Sequence, residues 1–289
     1  MEARPAIGQV GIWSREFHNA DPALAGVLRD AAAEIESLGY GAVWIGASPD
    51  VPAARPLLDA TSRLVVATGI LSVWHHEAAG VAARTAALNA DYGDRFILGL
   101  GVSHQDSVAG YRKPYTKMVD YLDALDAAPE PVPPTHRVLA ALGPRMLRLA
   151  ADRTAGAHPY LAPVEHTATA RETLGPGPLL APEINVVVET DAARARGAAR
   201  AHLSRYLELP NYTDNLRRYG FADADLDGGG SDRLVDSLYL WGDEDRIRAR
   251  TAEYFAAGAD HVAIQVVRSD PDTDPPMPEY RRLAAALIA

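Results

Sequence analysis

Histidines and hydroxyl groups recur just past short apolar runs in this chain: Ser48, then Trp74, His75 and His76, then Ser103 and His104, and finally His158. Such groups exchange protons or bind metals. A metal site would draw on His75, His76, Glu77, His104 and His158, but neighbouring side chains on a regular backbone point in different directions. The same histidines would serve equally as hydrogen-bonded loop anchors, and no metal is expected. The chain has no Cys, which excludes a disulfide framework, a thiolate zinc site, an iron–sulfur ligand set and a cysteine nucleophile. A serine nucleophile has little support. No G-x-S-x-G elbow occurs, and neither Ser48 nor Ser103 has an identifiable base.

The stretch LGPRMLRLAADR, Leu142 to Arg153, carries a different chemistry. A strand ends at Gly143, Pro144 takes the first helical position, and an apolar stripe begins. A helix start of this kind turns unpaired N–H groups and a positive dipole end toward an anion, so it suits a phosphate. A plain strand-to-helix turn would also need Gly-Pro, and both readings stand. GLGVSH lacks the G-x-G-x-x-G spacing of a dinucleotide site.

The elements that must position these residues alternate. Eight apolar, β-rich runs are separated by stretches of helical spacing: Gln9–Trp13, Ala42–Gly46, Leu64–Leu71, Phe96–Gly101, Arg137–Leu142, Gly156–Leu161, Glu183–Glu189 and His261–Val267. Eight βα units predict a single (β/α)8 TIM barrel over residues 1–289, whereas a doubly wound sheet usually stops sooner. Its chemistry belongs on the loops after each strand, including Gln105 and Asp106 after the fourth. Pro22–Leu38 reads as a helix capped by Asp21 and stopped by Gly39, and Asp243–Ala257 followed by Gly258 repeats that arrangement. Asn211–Ser231 breaks the rhythm and predicts an insertion or mobile segment after strand seven; the proline-rich Asp126–Thr135 predicts a stiff connection.

Composition narrows the partners. With 48% hydrophobic and 23% charged residues the chain is long enough to bury a core without staples. A formal net charge of -10 repels a phosphate backbone, so nucleic acid is an unlikely partner. The first residues, MEARPAIGQVGIW, lack the basic and apolar regions of a signal peptide, and no apolar run is long enough to span a membrane, so a cytoplasmic, membrane-free protein is expected.

Taken together, LGYGAVWIGASP (Leu38–Pro49), LVVATGILSVW (Leu64–Trp74), GDRFILGLGVSH (Gly93–His104) and LGPRMLRLAADRTAGAHPYL (Leu142–Leu161) resemble the bacterial luciferase-like monooxygenase superfamily, specifically its coenzyme F420-dependent oxidoreductase branch. LGPGPLLAPEINVVVETD, LPNYTDNLRRYGF and the closing WGDEDRIRARTAEYFAAGADHVAIQVV extend the resemblance over nearly the whole chain.

This resemblance implies a barrel whose mouth holds a flavin or deazaflavin, and a homodimer formed through helices beside strands three and four. It implies a cis peptide at Gly69–Ile70 supporting the cofactor ring, and backbone donors at Gly143, Arg145 and Met146 for its phosphate. It puts His104 at the ring's reactive edge, where sugar-phosphate dehydrogenase relatives carry a carboxylic acid; an imidazole of ordinary pKa about 6.5 would suit proton exchange there. Trp13, Ser48, Trp74, His75, His76 and His158 are candidates for the substrate pocket.

Two departures matter. Gly46, Ala47 and Ser48 stand where those dehydrogenases have an acidic-His pair, which argues against sugar-phosphate oxidation, and Ala78 replaces a common proline. The leading expectation is an F420-dependent oxidoreductase moving a hydride to or from a small organic substrate. The alternatives are an FMN-dependent monooxygenase and a cofactor- or ligand-binding barrel without catalysis.

Overall fold

Along each apolar run, side chains alternate between two buried environments, which is why the runs read as nearly continuous hydrophobic stretches. In β2 (Ala42–Ile45), Val43 and Ile45 pack in the layer under the helices, while Ala42 and Trp44 point to the inside of the sheet's curl. The computed structural model describes residues 4–18, 21, 23–104, 108, 110–269 and 274–288. Pro22, Gln105 and Asp106 lie outside the described residues.

The sheet is parallel and curled. Round the curl run β1 (Val10–Ser14), β2, β3 (Val65–Thr68), β5 (Phe96–Gly101), β6 (Arg137–Leu139), β7 (Gly156–Ala157) and β8 (Leu179–Leu180), with β4 (Leu71–Ser72) continuing β3 against β5. On the other side β1 pairs with β11 (Val262–Val266), β11 with β9 (Glu183–Val187), and β9 with β10 (Tyr239–Trp241). β8 and β9 are consecutive pieces of one segment, separated by Ala181 and Pro182. That segment bonds β7 with its first part and β11 with its second.

All eight expected runs contain a strand. β8 and β10 were not expected, being two and three residues long. The long helices α1 (Ala25–Ser37), α3 (Ala78–Tyr92), α4 (Pro114–Asp126), α5 (Pro144–Arg153), α6 (Val164–Leu174), α11 (Glu244–Ala256) and α12 (Met277–Leu287) bury apolar faces against the sheet, as do the short α2 (Arg55–Asp59) and its neighbours.

One expectation needs correction. Asp21 does not cap α1, which begins at Ala25; its carboxylate instead accepts the Ala23 N–H at 2.9 Å in the preceding turn. Asn211–Ser231, expected as an insertion or mobile segment, is helical over much of its length. It holds most of α8 (Pro210–Arg218) and all of α9 (Asp223–Leu226), which together with α7 (Ala192–Leu203) and α10 (Asp232–Leu238) enclose a second apolar cluster around Leu203, Leu216 and Leu234. The helix stops were legible: Gly39 and Gly258 both follow their helices at positive φ, where a side chain would be strained.

Between β3 and β4 the pairing slips. Ala67 lies opposite Ile97 and Leu71 opposite Leu100, so four steps on one strand match three on the other, a one-residue bulge. The Gly69–Ile70 peptide within it is cis. Thr68 spans the gap, its hydroxyl donating to the Gly99 carbonyl and accepting the Gly99 N–H, both at 2.8 Å. Replacing Thr68 with Val keeps the shape but leaves both Gly99 groups unpaired in the interior. An equilibrium unfolding experiment on T68V is expected to show a loss of about 2–4 kcal/mol.

Small inward residues make room for rings inside the curl. A Cβ on Gly11 would lie 2.7 Å from the His261 ring, and Trp44 fills the centre, stacked on His158 with centroids 4.2 Å apart. The Trp44 indole N–H donates to His261 Nε2 at 3.1 Å, and His261 Nδ1 donates to the Gly8 carbonyl at 2.9 Å.

Candidate active site

Above this packed interior, at the C-terminal ends of the strands, the molecule opens into a cavity of about 760 Å3. Trp13 at the end of β1 and the Gly69–Ile70 bulge form part of its floor. The indole N–H of Trp13 donates to the Gly69 carbonyl at 2.7 Å, and a Cβ on Gly46 or Gly69 would lie within 2.7 Å of the Trp13 ring. Glycine at both positions lets the indole lie flat against the backbone.

One wall is the β6–α5 turn, Ala140 to Met146. Gly143 precedes α5 in an extended conformation and Pro144 opens the helix; no side chain caps it. Of the three donors expected there, the Met146 N–H is already engaged by the Gly143 carbonyl at 3.1 Å. The N–H groups of Gly143 and Arg145 make no hydrogen bond among the described residues. The Arg145 guanidinium lies 3.8 Å over the Tyr115 ring, at the cavity's edge.

Opposite, the residues after β5 bring in Ser103 and His104, and the chain from the end of α7 into α8 folds over the mouth with Arg205, Tyr206, Leu209, Asn211 and Tyr212. His104 meets the Tyr212 ring at 5.4 Å. Tyr160, Tyr206 and Tyr212 pack edge to face on one another, with centroids 5.2 to 5.9 Å apart, and Tyr160 lies parallel to Trp13. Burial pushes the phenols of Tyr160 and Tyr212 well above their ordinary range, so both stay protonated donors at neutral pH.

Among the described residues, Arg15, Arg145 and Arg205 line the cavity against one carboxyl, that of Glu183. Burial pushes Glu183 upward toward the neutral acid, with Arg205 opposing weakly. The cavity is therefore electropositive in a chain of net charge -10, which favours an anionic ligand.

Of the residues singled out from sequence, Trp13, Ser48, Gly69, Ile70, His104, Gly143, Arg145, Met146 and His158 line this cavity. Ser48 sits at positive φ, its hydroxyl accepting the Ser72 N–H at 3.0 Å. Trp74, His75 and His76 do not line it. After β4 the chain turns back, the His75 N–H bonding the Ser72 carbonyl, so that His75 is exposed and His76 faces Asp50 at 3.9 Å. The Trp74 indole is held to the Val102 carbonyl at 2.7 Å.

Sequence reasoning missed Glu183, Arg205, Tyr206 and Tyr212. A signal existed for Glu183: in EINVV the apolar residues Ile184 and Val186 alternate with Glu183 and Asn185, so one strand face is polar and must look inward. Among the described residues, no three His, Asp or Glu side chains are grouped to hold a metal. No helix is long and apolar enough to cross a membrane.

A family model described as luciferase-like monooxygenase matches residues 10–261. The chain belongs to the luciferase-like monooxygenase family. Its members are oxidoreductases and monooxygenases, and a cavity at the strand ends of a TIM-barrel-like fold is where such a chain is expected to act. No curated protein sequence matches this luciferase-like chain.

Several solved structures share its fold. An F420-dependent secondary alcohol dehydrogenase in complex with an F420-acetone adduct aligns with TM-score 0.74 at 14% identity, over 97% of this chain and 98% of the other. The coenzyme F420 dependent tetrahydromethanopterin reductase from Methanopyrus kandleri aligns with TM-score 0.70 at 14% identity, over 97% and 98%. The oxygenating constituent of 3,6-diketocamphane monooxygenase from Pseudomonas putida, in complex with FMN, aligns with TM-score 0.62 at 15% identity, over 96% of each chain.

Proposed function

We propose that this chain is a coenzyme F420-dependent oxidoreductase that moves a hydride between the cofactor and a small organic substrate. The observation carrying the reading is that one electropositive cavity joins the bulge at Gly69–Ile70, the start of α5 and the His104 imidazole. The fold is read with it as a single eight-unit barrel, the segment from α8 to α10 being an insertion after its seventh strand.

The residues present fit a phosphate-bearing ring cofactor. A Cβ on Gly143 would meet nothing nearer than Arg218 Nη1 at 3.8 Å, so the turn leaves room for an anion against its backbone. The N–H groups of Gly143 and Arg145 and the dipole of α5 would hold the phosphate. Trp13, Gly69 and Ile70 offer the flat apolar support a ring needs. When bound, a deazaflavin supplies the hydride acceptor or donor. The chain's own contribution is to orient the substrate, exclude water beneath Tyr206 and Tyr212, and exchange a substrate proton at the His104 imidazole.

The test is equilibrium binding of F420 and of FMN to the purified protein and to G143V. Gly143 has φ -85 and ψ 153, a conformation any residue adopts, so G143V is expected to unfold at the wild-type temperature within error. Its cofactor affinity is expected to fall roughly thirtyfold, about 2 kcal/mol, because branched methyl groups displace the phosphate. Preference of the wild type for FMN would support the monooxygenase reading instead. Binding of neither would leave a ligand-binding barrel of another kind.

A further inference from the structure

Two polar atoms at the bottom of the cavity have no partner among the described residues: Glu183 Oε1 and His158 Nε2. Glu183 is 5% exposed and His158 2% exposed, yet both line the cavity. Buried polar atoms are nearly always bonded, so two orphans facing one space point to an absent ligand. Their chemistry is complementary. His158 Nδ1 donates to the Ala181 carbonyl at 2.7 Å, which leaves a lone pair on Nε2. Glu183 Oε2 lies 4.0 Å from that nitrogen, too far for a hydrogen bond between them. Trp44 holds the imidazole plane by stacking, and Glu183 is the first residue of β9.

We infer that Glu183, as a carboxylic acid, and the bare Nε2 of His158 form a neutral donor–acceptor pair that reads a lactam or imide edge. Such an edge presents a carbonyl oxygen to the acid and an N–H to the imidazole from one rigid plane. A carboxylate or phosphate ligand would set its oxygens against the Nε2 lone pair, and an ammonium could not accept from the acid. The start of α5 and this pair border the same cavity, so one occupant must carry an anion at one end and a flat polar edge at the other. Flavins and deazaflavins carry an imide edge and a phosphate. The inference therefore rests on the proposed function and adds which side chains recognise the ring. Burial acts in the same sense, raising the Glu183 carboxyl well above its ordinary range and lowering the His158 imidazole to about 4.

The experiment compares binding of F420, FMN and the N3-methyl form of each to the wild type, E183Q, E183L and H158F. In the wild type, methylating N3 is expected to weaken binding about tenfold or more, and in H158F, which keeps the ring on Trp44 but lacks the accepting nitrogen, to change it by less than threefold. E183Q, which keeps a donor beside an acceptor, should bind within about threefold of the wild type. E183L deletes an orphaned buried group, so its unfolding temperature should equal or exceed that of the wild type while its affinity falls. An equal N3-methyl penalty in wild type and H158F would overturn this inference alone, and would assign the pair to a water or a substrate hydroxyl. If the wild type bound neither unmodified cofactor, the functional reading and this inference would fall together.

Discussion

Lowering the pH from 7 to 5 is expected to destabilise this protein sharply, well before ordinary carboxylates titrate. His158, His202 and His261 are held neutral, each with its pKa lowered to about 4, burial being the largest cause. The bonding explains why. His261 donates through Nδ1 and accepts the Trp44 indole N–H at Nε2, so a second ring proton would bring two N–H groups face to face. His202 lies beside the Tyr239 hydroxyl at 2.8 Å in a similarly closed setting.

These pKa values are depressed on folding, so their contribution is fully present above the unfolded value near 6.5 and drains away as the pH falls toward 4. At pH 5 each costs about 2 kcal/mol, together of the order of a typical domain's whole stability. Glu183 works in the opposite direction. Its pKa is raised on folding, so the native state takes up this proton at a higher pH than the unfolded chain, and acidification partly restores stability through it. Unfolding temperatures measured between pH 7 and 5 should therefore fall steeply in the wild type and more steeply in E183L. A flat profile would show that these histidines are protonated in the folded state.

Gly99→Ala should be among the most damaging single methyl groups that can be added to the sheet. A Cβ on Gly99 would lie 1.9 Å from the backbone oxygen of Thr68, where no side-chain rearrangement gives relief. β3 would have to separate from β5 at the point where the bulge begins. A loss of at least about 3–4 kcal/mol is expected, together with loss of cofactor binding, because Gly69 and Ile70 ride on the displaced strand. Gly197→Ala is the matched control. It sits inside α7 with nothing within 4 Å of its added methyl, and should stabilise by about 0.5–1 kcal/mol. Thermal unfolding of the two variants side by side separates steric conflict from the generic effect of Gly→Ala.

Much of this architecture could be read from residues alone, because a fully buried parallel strand leaves a strong local trace. AVWI and FILGLG are such traces, and Gly39 and Gly258 mark helix ends by the conformation they permit. What could not be read was non-local. Leu179–Leu180 and Tyr239–Trp241 are strands only because neighbours bond them, and neither is long enough to show a period. His75 and His76 follow a strand as expected, but a single turn at Ser72 sends them away from the cavity. Arg205, Tyr206 and Tyr212 reach it because α8 folds back over the mouth, which no spacing in the sequence reveals. The Gly143 turn lay between these cases: its form was local and legible, while the use of the Met146 N–H inside the helix was not.

The pairing of β1 with β11 sets the order of events during synthesis. Gly11 finds its partner in Ala263, and the Trp44–His261 bond also waits for the far end of the chain. At a translation rate of about 5–20 residues per second, β1 leaves the ribosome roughly ten seconds to a minute before its second neighbour exists. Through that interval an apolar strand has one open edge, a template for pairing with other nascent chains. Recovery of active protein should therefore depend on expression temperature and on chaperone supply more than the stability of the finished fold would suggest.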